Sequence, residues 1–124
     1  MWKILRLLEI GLRGDQLNHK RKTFCQVLIS ATTKNEVDRI IDKLLGKKLI
    51  AGALITSGPS RYFWKGKIEE KSYFNISAFS LMENKKSIIS EVEKIHSDKA
   101  PIIAFIKIDG NDKFLKWIEN EIRW

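Results

Sequence analysis

The 124-residue chain has one cysteine, two prolines, two histidines and seven glycines. A lone Cys25 excludes an internal disulfide framework and any cysteine-rich zinc module. So few prolines and glycines exclude a linker or a collagen-like chain. No apolar run approaches the ~20 residues that a membrane helix needs. Nucleophile–base pairs, a P-loop and a Gly-rich phosphate fingerprint are all missing, so no enzymatic chemistry is expected. What is there is globular: 44% hydrophobic and 31% charged residues, with four Trp, six Phe and two Tyr. These quantities describe one small domain with a reduced thiol, expected in the cytoplasm.

Acidic residues are the scarcer sign, 15 against 23 Lys and Arg, for a net charge of +8. Half of that excess falls in residues 1–22, which carry six basic and two acidic side chains. The remaining hundred-odd residues are only mildly basic, as a solvated surface would be. Residues 1–22 read as a basic N-terminal extension. Their apolar set (Trp2, Ile4, Leu5, Leu7, Leu8, Ile10, Leu12) is interrupted by Arg6 and Glu9. It makes neither a secretory h-region nor a clean amphipathic stripe. Residues 23–124 form the domain.

Within the domain, Phe24 to Ala31 is a short apolar run that reads as a buried strand. Thr33-Lys-Asn-Glu36 is a capping box, and behind it Val37, Ile40, Ile41, Leu44 and Leu45 recur on one helical face. Gly46 with Lys47 and Lys48 suits that helix's end. Leu49 to Thr56 reads as a second strand, Ser57-Gly-Pro-Ser60 as a turn, and Arg61 to Trp64 as extended. Lys65-Gly66 is a tight turn, and Lys67 to Ser80 is a long strand that alternates at Phe74, Ile76 and Ala78. Ser80-Leu-Met-Glu83 reads as a second capping box, before a helix with Ile88, Ile89, Val92 and Ile95 inward. Pro101 precedes a strand over 102–108. Asp109-Gly-Asn-Asp112 opens a last helix facing inward through Phe114, Leu115, Ile118 and Ile122.

The order β-α-β-β-α-β plus a final helix predicts an α+β, ferredoxin-like fold: a four-stranded antiparallel sheet with helices on one face and a C-terminal helix. The first two helices cover one face. The other face is expected to stay apolar and open, which calls for association or a ligand.

At Arg61-Tyr-Phe-Trp-Lys-Gly-Lys67 the chain resembles the CutA, or divalent-cation tolerance, proteins. Tyr62, Trp64, Gly66 and Lys67 fill the family's Tyr-x-Trp-x-Gly-Lys hairpin. Leu49-Ile-Ala-Gly52 resembles its Leu-Ala-Ala-Cys. His96, Pro101 and Ile103 resemble its His-Pro-Tyr-Glu-x-Pro-Glu-Ile element, and Gly110-Asn111 with Leu115-x-Trp117 its closing element. The resemblance spans about residues 24–122. It implies a homotrimer related in architecture to the PII signalling proteins, with an intersubunit cleft for a metal or a small anionic ligand. In that cleft this chain departs from the pattern. Gly52 replaces the cysteine, Phe79-Ser80 a Lys-Thr, Asp98 the tyrosine and Ile102 the second glutamate.

By analogy His96, with Asp98 beside it, is the candidate metal site, and Tyr62, Trp64, Gly66 and Lys67 are trimer and cleft residues. Two ligands fall short of the three or four that tight binding takes, so any divalent metal, copper foremost, is expected to be held weakly. Cys25 reads as core. The expected function is metal-ion homeostasis or response, or PII-like signalling, by binding. The basic extension and the aromatic hairpin leave a second reading, a nucleic-acid-binding module whose affinity falls steeply with salt. The structural role of the hairpin is favoured over it.

Overall fold

The computed structural model describes residues 22–122. The expected basic extension, apart from Lys22, lies outside them. The elements are β1 (Phe24–Ala31), α1 (Lys34–Gly46), β2 (Gly52–Trp64), β3 (Lys67–Leu81), α2 (Lys85–Ile95), β4 (Ile103–Lys107) and α3 (Asp112–Glu121). They make one antiparallel sheet in the order β2-β3-β1-β4, the ferredoxin-like arrangement expected from the sequence.

Strand β1 is central because it is apolar on its inner side throughout. Cys25, Val27, Ile29 and Ala31 are fully buried and lie opposite Ser80, Ala78, Ile76 and Phe74 of β3. Helices α1 and α2 close over this face with Val37, Ile40, Leu44, Ile88 and Val92. Each such side chain contributes roughly 1.5–3 kcal/mol of gross burial. Packing therefore holds these helices more than propensity does. Cys25 belongs to this core, and burial pushes its thiol up to about 11. It is inert as a nucleophile there.

The opposite face is not left open along its whole length. Helix α3 lies across one end of it, and Leu81, Ile118 and Ile122 form a second core with Phe24, Phe79, Ile108 and Phe114 around them. The sequence places Ile118 and Ile122 inward correctly, but not on the far side of the sheet from α1 and α2. The rest of this face stays open, with Leu54 and Ile106 exposed.

Three local expectations are corrected. Ser57-Gly-Pro-Ser60 is not a turn: it continues β2, with Pro59 opposite Ser72. Pro is tolerated because β2 is the outermost strand, so its missing N–H breaks no ladder. Ser80 does not cap a helix: its hydroxyl donates to the Leu49 carbonyl at 2.6 Å. The chain instead passes through a 3₁₀ turn at Met82–Asn84 before α2 begins. Gly46 does not terminate α1 by its flexibility: it is the last helical residue. The left-handed position is Lys48, at φ 57°. Its N–H bonds the Leu45 carbonyl and that of Leu49 bonds Leu44, the paired bonds of a Schellman ending.

The Lys65-Gly66 turn is as expected, with positive φ at both residues (52° and 82°), which a two-residue type I′ hairpin requires. It joins the two longest strands. Strand β1 pairs with β3 only from Phe74 to Leu81, so the ribbon of Gly58–Trp64 and Lys67–Tyr73 runs on without a third strand. Phe63 (75% exposed) and Ile68 (63%) lie opposite each other on it. Among the described residues, no helix is long and apolar enough to cross a membrane.

Candidate functional site

Two neighbouring constellations form where α1 begins and α2 ends. The first centres on Glu36. The Thr33 hydroxyl accepts the Glu36 N–H at 3.1 Å, the expected cap. The carboxylate, however, reaches one residue further back than a capping box does. It takes the Thr32 N–H at 2.8 Å and the Thr32 hydroxyl at 3.0 Å on one oxygen. Its other oxygen takes the Ser97 N–H, also at 2.8 Å, from the segment after α2. Burial by itself would raise the Glu36 pKa, but these donors from Thr32 and Ser97 win and bring it to about 2. A nearly fully buried carboxylate thus stays charged and ties the start of α1 to the end of α2.

His96 follows α2 immediately, as the sequence suggests, and its ring is enclosed. Nδ1 accepts the Asp98 N–H at 3.0 Å, so the ring proton of the neutral imidazole sits on Nε2, which donates to the Ser30 carbonyl at 2.5 Å. Glu36 Oε1 is 3.9 Å from the same Nε2. Both ring nitrogens therefore face backbone partners. The Asp98 carboxylate turns away from the ring and accepts the Tyr73 hydroxyl at 2.9 Å. Histidine and aspartate are adjacent, but their donor atoms do not converge on one point. Among the described residues no three of His, Cys, Asp and Glu come together as a metal would need. The expected two-ligand site is thus a poor fit for copper unless His96 releases Ser30.

The second constellation is a cleft of about 910 Å³ on the open side of the sheet, lined by Tyr62, Trp64, Lys71, Tyr73, Asp98 and Ile102 among others. Tyr62 and Tyr73 meet edge to face, centroids 5.9 Å apart. The Lys71 ammonium lies 5.5 Å from the Tyr73 ring centre. The Tyr73 pKa is raised, first by burial, then by hydrogen bonding to Tyr62 and Asp98 and by the Asp98 charge. Tyr62 and Trp64 line this cleft of the single chain, while Gly66 and Lys67 lie at the hairpin tip beyond it. Tyr73 was missed. Its alternation with Phe74 puts it on the open face, but its partner Asp98 is 25 residues away and carries no local signal.

The departures from the family pattern now have surroundings. Gly52 lies beneath Trp117, and a Cβ there would come within 2.8 Å of the indole. Phe79 packs on Phe114, centroids 5.2 Å apart, in the second core. Ser80 is fully buried and bonded to Leu49. Ile102 is half exposed and pairs through its backbone with Ser30. Positions 52, 79 and 80 serve packing here, and only Asp98 presents a polar group to the cleft.

Comparison with known proteins agrees with this architecture. The family model described as CutA1 divalent ion tolerance protein matches residues 25–121. The divalent-cation tolerance protein CutA of Archaeoglobus fulgidus is 34% identical over 97 residues, covering 77% of this chain and 95% of that one. A solved structure of the A. fulgidus periplasmic divalent cation tolerance protein CutA superposes with a TM-score of 0.78 at 33% identity, over 81% of this chain and 99% of the other. The divalent ion tolerance protein CutA1 of Ehrlichia chaffeensis gives 0.77 at 26% identity, over 84% and 99%. With its sheet order, its hairpin and nearly all of its described residues accounted for in this way, the chain belongs to the CutA1 divalent ion tolerance protein family.

Proposed function

We propose that this chain acts as a homotrimer that binds cations or a small anionic ligand in an intersubunit cleft, serving metal-ion response or PII-like signalling by binding and not by catalysis. The observation that carries this reading is the ribbon Gly58–Trp64 with Lys67–Tyr73. A two-stranded ribbon is marginal in water, and this one exposes Phe63 and Ile68 beyond the edge of its own sheet. A second copy of the chain that accepts the ribbon as an added strand would cover both its edge and its apolar side chains. Light scattering is expected to report about three times the 14.4 kDa chain mass. A stable monomer at micromolar concentration overturns the reading.

The cytoplasm suits a chain with a single thiol buried in its core. Cell fractionation tests this, since the A. fulgidus relative is described as periplasmic.

Residues 1–22 are dispensable for the domain in this reading, because the matched region begins at Cys25. Removing them is expected to leave the oligomer intact and to change stability by no more than about 1 kcal/mol. Aggregation of the truncated chain would show that the apolar residues of the extension cover part of the domain.

Copper(II) binding is weak. Asp98 is the accessible ligand, and His96 joins it only by giving up the Ser30 carbonyl. Affinity is expected no tighter than micromolar, about −8 kcal/mol. Calorimetry should find that His96→Ala weakens it further. Nanomolar copper bound once per chain and lost in His96→Ala would refute the weak-site reading.

A further inference from the structure

The ribbon of Gly58–Trp64 and Lys67–Tyr73 leaves the sheet at one place. Pairing of β1 with β3 stops where Ala31 lies opposite Phe74, and Tyr73 is the first residue of β3 beyond it. Past that point, among the described residues, the ribbon is two strands wide. Backbone pairing holds its two strands to each other, but not their direction to the body. A two-stranded ribbon twists more than a wider sheet and is marginal by itself. Its direction therefore depends on side chains at its root.

Tyr73 stands at that root. Its hydroxyl donates to the Asp98 carboxylate at 2.9 Å, from the ribbon to the segment that follows α2. A charged acceptor makes this one of the stronger hydrogen bonds. The far end of the bond is firmly held. The Asp98 N–H donates to His96 Nδ1 at 3.0 Å, and the neighbouring Ser97 N–H to the Glu36 carboxylate at 2.8 Å. The ring of Tyr73 also grips the ribbon itself. Tyr62 meets it edge to face, centroids 5.9 Å apart, and the Lys71 ammonium lies 5.5 Å from its centre. Gly58, opposite Tyr73, and Ser60, on the same face of β2, are small, so the ring reaches along the ribbon to Tyr62. Tyr73 thus joins β3, β2 and the body.

We propose that the Tyr73–Asp98 hydrogen bond is a latch that sets the direction of the ribbon against the body, which makes Tyr73 a positioning residue for assembly. The inference rests on the trimer reading, in which a second copy of the chain receives the ribbon. Strand addition takes the ribbon in one register and one direction. With the latch closed, each chain presents its ribbon in that direction before the copies meet. With the latch open, the ribbon samples other directions, and association must order it.

The test uses the purified full chain with divalent metals chelated, so that copper at Asp98 plays no part. Tyr73→Phe keeps the ring and removes the hydroxyl. It is expected to weaken assembly about tenfold or more in a sedimentation dilution series. Asp98→Ala should do the same, and the double variant no more than either alone. Asp98→Asn, which still offers Tyr73 an accepting oxygen, should keep most of the parent's assembly. Hydrogen exchange at a dilution where the chains are dissociated is expected to quicken at the ribbon amides in Tyr73→Phe and to keep the parent's rates in β1. Should Asp98→Ala lose the parent's circular dichroism, Tyr73→Phe and its exchange pattern decide alone. Unchanged assembly in Tyr73→Phe, losses that add in the double variant, or unchanged ribbon exchange overturns the latch. A parent chain that is itself a monomer overturns the trimer reading and with it the assembly role, while hydrogen exchange still decides whether the bond holds the ribbon.

Discussion

Glu36→Gln is expected to destabilise the protein by about 2–3 kcal/mol at neutral pH, and the deficit should vanish in acid. The carboxylate accepts three hydrogen bonds, from the Thr32 N–H, the Thr32 hydroxyl and the Ser97 N–H. An amide offers one acceptor oxygen, and its NH₂ then faces a donor, so a buried backbone N–H is left unpaired. The folded pKa is about 2 against an ordinary value of 4.5. Because the folded value is the lower one, the contribution is fully present above pH 4.5 and fades as pH falls from there towards 2. That difference is worth about 3 kcal/mol, of the same order as the cost expected for the substitution. Thermal melts of parent and variant at one protein concentration should differ by about 10 °C or more at pH 7 and converge near pH 2. A gap that is constant with pH would mean that the side chain's shape, not its charge, is what the fold needs.

In the proposed homotrimer, Trp64→Ala is expected to cause dissociation at concentrations where the parent chain is fully assembled. Trp64 is partly exposed in the single chain and belongs to neither core. Its loss should leave the fold of each chain intact. A central aromatic anchor typically carries 2 kcal/mol or more on truncation, so the association constant should fall about thirtyfold or further. Trp64→Phe keeps an apolar ring and should be milder. Sedimentation across a dilution series reads the difference. A variant that stays trimeric yet loses binding to single-stranded nucleic acid would instead favour the basic, aromatic surface as a nucleic-acid platform.

The periodic features were legible without coordinates. Strand β1, the inner faces of α1 and α2, and the alternation of Phe74, Ile76 and Ala78 follow from burial on one side at period 3.6 or 2. The Lys65-Gly66 hairpin follows from local turn chemistry. Together with the Tyr62-x-Trp64-x-Gly66-Lys67 motif they sufficed for the fold and the family. Punctuation residues misled where context overrode them. Ser57-Gly-Pro-Ser60 stays extended only because β2 is an edge strand, and Ser80 bonds Leu49 because that carbonyl is brought alongside it.

The site was half legible. His96 and Asp98 stood out by type, yet the structure directs their donor atoms to different partners, Ser30 and Tyr73. Glu36 announced itself as a cap, but not as the acceptor for Ser97, 61 residues away. Local sequence sets which residues share a face, because that depends only on the period of the backbone. Which polar atoms meet across that face, and whether α3 covers Gly52 or leaves the sheet open, depends on contacts between distant segments. Only the folded packing of the sheet decides those.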